Sequence, residues 1–163
     1  MNVAPGAGRY AGAAAILGLL AVPLSPVATV AGAGVAAFVL WFYRDPEREP
    51  RGDGIVSPAD GKVSVIREED DRLRVGVFMN LHDVHVNRAP LGGEVSAVEH
   101  SPGAHRPAFS KDSDRNERVR VDCGDHVVVL IAGAFARRIT PYVESGDELD
   151  RGDRIGHISF GSR

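Results

Sequence analysis

Three short pieces of this 163-residue chain hold side chains that could do covalent chemistry: Asp60 in "SPADGKV", His82 and His85 in "LHDVHVNRAP", and Ser162 in "HISFGSR". A hydroxyl, an imidazole and a carboxylate are the parts of an activated serine: nucleophile, base and orienter. No G-x-S-x-G elbow surrounds Ser162, so the hydrolase arrangement on a strand-to-helix turn is not indicated. What precedes Ser162 is Gly161, which leaves its own carbonyl sterically open and lets the backbone take a strained conformation. That is what an attack by Ser162 on the chain's own peptide bond would need.

Each piece also has a plainer reading. Asp60-Gly61 alone is the commonest hairpin-turn signal. In a strand, His82 and His85 would point to opposite faces, so a two-histidine metal grip is not expected there, though a turn leaves it open. No third ligand is near in sequence, His100 and His105 fall in a polar loop, and no metal is expected. Cys123 is the single cysteine, which excludes an intrachain disulfide and a thiolate metal site. "NER" at 116–118 and "IAGAFARRI" at 131–139 read, taken singly, as solvated groups along a strand edge. Of 19 basic residues only Lys62 and Lys111 are lysines; the net charge is −3 and no basic run suggests a nucleic-acid partner.

Two unlike regions must position these residues. From residue 55 onward the chain alternates apolar and polar in short runs parted by Asp60-Gly61, Gly92-Gly93, Gly124-Asp125, Gly146-Asp147 and Gly152-Asp153. Strands are predicted over 62–67, 73–78, 82–87, 94–99, 118–122, 126–131, 137–140 and 154–160, with a long loop over 101–117. "SGDELDRGDRIGHI" resembles the half-motif of lipoyl and biotinyl carrier domains and other barrel-sandwich hybrids, but no lysine sits at a tip to carry a swinging cofactor. The predicted fold class is all-β, a barrel-sandwich-hybrid-like body over residues 44–163.

Residues 1–43 form the other region, a hydrophobic membrane-associated segment. Positions 10–43 carry no charge. A single helix of 34 residues would reach ~51 Å, but Pro23, Ser25 and Pro26 break it into halves of roughly 20 and 26 Å, short against a ~30 Å hydrocarbon core. A thin helical hairpin or a monotopic wedge fits. Arg9 on one side and Arg44, Arg48 and Arg51 on the other favour both ends on the cytoplasmic side of the cell membrane, with Trp41, Phe42 and Tyr43 as an interfacial belt. A cleaved secretory signal fits less well, because the apolar stretch runs far past any cleavage site.

In order along the chain, "FYRDPER", "SPADGKV", "FMNLHDVHVNRAP", "GGEV", "NER", "IAGAFARRI" and "GDRIGHISFGSR" are similar to the motifs of phosphatidylserine decarboxylases, and most resemble the short archaeal and bacterial type, whose archaeal members act on archaetidylserine. The resemblance implies a pyruvoyl cofactor made from Ser162, with no metal and no pyridoxal phosphate. His85 would deprotonate Ser162, Asp60 would orient His85, and cleavage between Gly161 and Ser162 would separate a β chain from an α chain. The pyruvoyl group would form a Schiff base with the serine head group of the phospholipid substrate and take up the electrons left by CO₂. His82 would assist decarboxylation or reprotonation.

Family members continue some thirty residues past the Gly-Ser, whereas only Arg163 follows here; the expectation is a truncated sequence or a defective copy. The alternative is therefore a truncated or degenerate, non-enzymatic membrane-anchored β module. A hydrolase acting on an outside substrate ranks last.

Overall fold

The computed structural model describes residues 2–23, 25–69, 71–104 and 115–160. The chain divides into two compact units, Met1–Glu47 and Arg48–Arg163.

The first unit holds β1 (Asn2–Val3), α1 (Ala7–Leu20), α2 (Pro26–Phe42) and β2 (Arg44–Asp45), with β1 and β2 antiparallel. The break between the helices falls where the prolines predict it. Ser25 caps α2, its Oγ accepting from the Ala28 N–H at 3.3 Å, and Pro26 occupies the first helical turn, where its missing N–H costs nothing. The helices touch at Gly18 and Gly32: a Cβ on Gly32 would lie 2.7 Å from the Gly18 Cα, so any larger residue there forces the backbones apart. Outside that contact, Ile16, Leu17, Leu19, Leu20, Val27 and Val30 are all more than half exposed. Among the described residues no helix is long and apolar enough to cross a membrane.

The second unit is mostly β. It contains β3 (Lys62–Glu69), β4 (Arg72–Phe78), β5 (Val86–Arg88), β6 (Gly93–Glu94), β7 (Ala97–Ser101), β8 (Arg118–Asp122), β9 (Val127–Ile131), β10 (Ala136–Pro141), β11 (Glu148–Leu149) and β12 (Arg154–Phe160). They form small antiparallel sheets ordered β7-β8-β9, β10-β12-β5, β3-β4 and β6-β11. The described strands do not close into a barrel, so the β body of the sequence reading is present without the closed form of the carrier-domain likeness. Glycine-rich turns keep most strands at two to seven residues, too short to wrap one continuous sheet.

Strand alternation builds the core. In β8 Val119 and Val121 point inward while Arg118, Arg120 and Asp122 do not, and they face Leu130 and Val128 of β9 directly across the ladder. Ile139 of β10, Ile155 and Ile158 of β12, and Ala89 just past β5 join the same buried cluster, so both three-stranded sheets share one core.

Three readings differ from the structure. The predicted strand over 94–99 is two short strands, β6 and β7, parted at Val95 and Ser96, whose N–H groups donate to the carbonyls of Asp147 and Asp122, both at 2.8 Å. The predicted strand over 82–87 is only three residues long, Val86–Arg88, because residues 80–83 close a turn: the Asp83 carboxylate accepts from the backbone N–H of Asn80 at 2.6 Å and the Asp83 N–H donates to the Asn80 carbonyl. And Asp60-Gly61 is not the tip of a hairpin; it leads into β3, where Gly61 has φ +144° and the Phe78 carbonyl occupies the space a Cβ would need.

Burial sets the expected stability effects. Leu130→Ala, which empties space in the core, should cost about 2–5 kcal/mol in urea denaturation. Val129→Ala, one residue along on the exposed face, should stay within about 0.5 kcal/mol.

Candidate active site

β12 is the central strand of its sheet, with β10 on one side and β5 on the other, and residues 155–159 are all buried. Its register pairs Thr140 with His157 and Arg138 with Ser159 on the β10 side, and His157 with Val86 on the β5 side. One further hydrogen bond extends the β5 pairing: the Ile158 N–H donates to the His85 carbonyl at 3.0 Å. His85 thus lies alongside the strand that runs, three residues on, into Gly161.

His85 is buried, and its Nδ1 lies 3.0 Å from the Asp83 carbonyl oxygen. A carbonyl can only accept, so Nδ1 carries the hydrogen. In the neutral ring Nε2 is then left as the lone-pair nitrogen, the form a general base requires. The Asn80–Asp83 turn makes this possible by fixing where the Asp83 backbone points. The Asp83 side chain itself is partly buried, which pushes its pKa up, but hydrogen bonds from Asn80 and the nearby imidazoles of His82 and His85 outweigh that and hold the carboxyl below its ordinary range.

Asp60 arrives from the other side of β5. The segment before β3 runs antiparallel to the strand and its continuation: the Val56 N–H donates to the Pro90 carbonyl at 3.0 Å, and the Arg88 N–H to the Pro58 carbonyl at 2.8 Å. That direction carries Asp60 toward the His85 end of β5. Its carboxylate, however, is held by Arg48 at 2.6 Å, and both side chains are more than a third exposed. The orienting contact seen for the His85 Nδ1 is the Asp83 backbone carbonyl. His82 sits in the turn with its ring largely exposed, its Nε2 3.5 Å from an Asp83 carboxylate oxygen. Among the described residues, no three His, Cys, Asp or Glu side chains gather as a metal would need. Gly161 and Ser162 lie outside the described residues.

The structure adds two residues that the sequence reading did not single out. His157 is buried on β12, and its Nδ1 shares a 2.8 Å hydrogen bond with the Tyr142 hydroxyl, the two rings 5.4 Å apart. Burial lowers the His157 pKa to about 4, with smaller electrostatic contributions from Arg138 and the His85 imidazole, so the ring is neutral near pH 7. The available signal was a histidine between isoleucines in a strand leading to Gly-Ser, which reads equally well as a core histidine.

"NER" also proves different from a solvated edge. Asn116 and Glu117 are buried. The Asn116 Nδ2 donates to the Ala132 carbonyl at 2.8 Å, and a Glu117 carboxylate oxygen lies 2.9 Å from the His100 Nε2. The motif ties β7, β8 and the end of β9 together, which is a structural task.

A profile of the phosphatidylserine decarboxylase family matches residues 35–163. A protein of Halobacterium salinarum provisionally named archaetidylserine decarboxylase proenzyme is 62% identical over 156 residues, covering 95% of this chain and 80% of that protein. Phosphatidylserine decarboxylase proenzymes of Streptomyces avermitilis and Streptomyces coelicolor are each 52% identical over 139 residues, covering 82% of this chain and 65% and 64% of their own lengths. The chain belongs to the phosphatidylserine decarboxylase family, an enzyme family.

His157 supplies a measurable pH signature. A histidine with a folded pKa below its unfolded one binds fewer protons when folded, so stability is fully present above about pH 6.5 and declines as the pH falls toward 4. The decline should reach up to ~3 kcal/mol by urea denaturation at stepped pH. His157→Asn should show a correspondingly smaller loss over that interval.

Proposed function

We propose that this chain is the precursor of a self-processing, pyruvoyl-dependent decarboxylase that converts a serine phospholipid, phosphatidylserine or archaetidylserine, to the ethanolamine lipid and CO₂. The observation that carries the reading is the His85 ring, its Nδ1–H engaged by the Asp83 carbonyl, immediately before the strand paired with β12. Family membership and the proenzyme names of the relatives support it.

In the processing step His85 Nε2 takes the Ser162 hydroxyl proton, and the oxygen attacks the Gly161 carbonyl. The Gly161–Ser162 amide becomes an ester, with the serine nitrogen freed as an amine. Loss of the Ser162 α-proton expels the ester oxygen, which leaves with Gly161 as the carboxylate end of the β chain. The dehydroalanine that remains takes up water and releases ammonia, giving a pyruvoyl group at the start of the α chain. Asp60, on the far side of β5, is assigned to the electrostatic support of the protonated His85.

The site's residues fit a pyruvoyl group at this position: a buried imidazole at His85 just before β5 and a neutral second imidazole at His157. When present, that group supplies an electron sink for loss of the substrate carboxylate. The chain's own contribution is to exclude water around β12 and to hold and return a proton. His82, exposed on the turn next to His85, is assigned to that proton transfer.

The reading extends to α1 and α2, which we assign to the cytoplasmic face of the cell membrane as a wedge that does not span it. Supporting this are the charge-free stretch 10–43, the exposed leucines and valines, and Arg44 stacked 4.6 Å over the Trp41 ring at the end of α2. A lipid substrate keeps its tails in the bilayer, so the site must work at head-group level.

Two experiments test the proposal. Expressed from its full gene, the wild-type protein should resolve into two chains by intact mass, and Ser162→Ala and His85→Ala should remain single. An uncleaved wild type would favour the non-enzymatic β module instead. For the wedge, Leu17→Glu combined with Leu20→Glu should cut co-flotation with lipid vesicles roughly tenfold, the cost of placing charge on a face that enters the interface; unchanged flotation would remove α1 from that role.

A further inference from the structure

The sheet β10-β12-β5 has one apolar face and one polar face. Ile139 and Ile158 point into the core. On the opposite face the register places Arg138 across from Ser159 and Thr140 across from His157, and residues directly opposite in an antiparallel pair share a face. Ser159 and His157 are buried although polar, and Arg138 stands exposed at the rim above them.

Two arginines are adjacent in "ARRI", and the fold separates their tasks. The β10–β12 register shifts between Ala136 and Arg138, making Arg137 the extra residue of a bulge. Bulges re-aim side chains and recur beside active sites. The Arg137 Nε–H donates to the Ala134 carbonyl at 2.6 Å, which folds that side chain back on its own loop. Arg138 is returned to the regular alternation, three positions from the end of the Gly161–Ser162 sequence in register terms, and its guanidinium engages no described carboxylate. Its charge reaches the site, because Arg138 is among the groups that bear electrostatically on His157.

We propose that Arg138 is the residue that binds the phosphodiester of the substrate head group, holding the serine moiety over the polar face of β12. This rests on the decarboxylase reading and assigns one part of it. A guanidinium offers paired N–H donors that match two phosphate oxygens, and it stays charged at every relevant pH. Its neighbours Ser159, Thr140 and His157 are neutral, so these described residues set no carboxylate against the phosphate.

The test uses the processed enzyme expressed from its full gene, with CO₂ release from a serine phospholipid in neutral detergent micelles. Arg138→Ala should raise KM roughly ten- to hundredfold, the loss of a charge-assisted hydrogen-bonded pair, with kcat within about twofold. Self-cleavage, which involves no lipid, should keep its wild-type time course, and Arg138→Lys should recover part of the KM. Arg137→Ala should leave KM within about twofold, since its guanidinium is already committed to the loop. An unchanged KM in Arg138→Ala, with wild type active, would overturn the assignment alone. A KM rise seen only on anionic vesicles and absent in neutral micelles would show attraction to the membrane surface and would also overturn it. No CO₂ from processed wild type would overturn the decarboxylase reading and this one with it.

Discussion

The pairing of β5 with β12 is the constraint on which the rest of the site depends. β5 has three residues, and its hold on β12 is a short ladder extended by the Ile158 N–H to the His85 carbonyl. Slip that ladder by one residue and His85, Val86 and Asn87 all change faces, because side chains alternate along a strand. The apolar residues of β12 fix the register from the other side: Ile155 and Ile158 must stay in the core they share with Leu130 and Ile139. Core packing therefore determines which nitrogen-bearing side chains stand beside the path to Gly161 and Ser162.

The same ladder explains why the His85 ring is oriented by backbone more than by a carboxylate. The Asn80–Asp83 turn ends immediately before β5 and delivers the Asp83 carbonyl to the His85 Nδ1. A carbonyl fixes the tautomer as well as a carboxylate does but adds no full charge, which leaves the charge balance of the site to Asp60, Arg138 and the imidazoles. Asp60 is held by Arg48 on a partly exposed surface, where an ion pair is worth about 0–1 kcal/mol. That pair is weak enough for the Asp60 carboxylate to change partners during a reaction.

Much of this was legible in the sequence, for identifiable reasons. β8 and β12 match their predicted ranges because their apolar residues and flanking Gly-Asp turns leave little choice. The helix break was legible because Ser25 and Pro26 act locally. The strand over 82–87 was over-extended because an alternating pattern cannot show that Asp83 bends back to cap Asn80. Asn116 and Glu117 looked like surface groups because their burial depends on Ala132 and His100, distant in the chain. His157 was silent for the same reason: its partner Tyr142 is on another element, and nothing local distinguishes a tuned imidazole from a packed one. The family resemblance held, since it rested on seven motifs in order and not on any one of them.

The central claim is that the β5–β12 pairing presents His85 as a neutral base with Nδ1 protonated and the lone pair on Nε2. Nitrogen-15 NMR of the imidazole in the uncleaved Ser162→Ala precursor tests it most directly, with His85 assigned by comparison with His85→Gln. Near pH 7.5 the account predicts an Nδ1–H tautomer, with an Nε2 shift typical of a bare ring nitrogen. A ring protonated at Nε2 with Nδ1 bare would contradict it, because the Asp83 carbonyl would then have no donor to accept from and Nε2 no lone pair to offer.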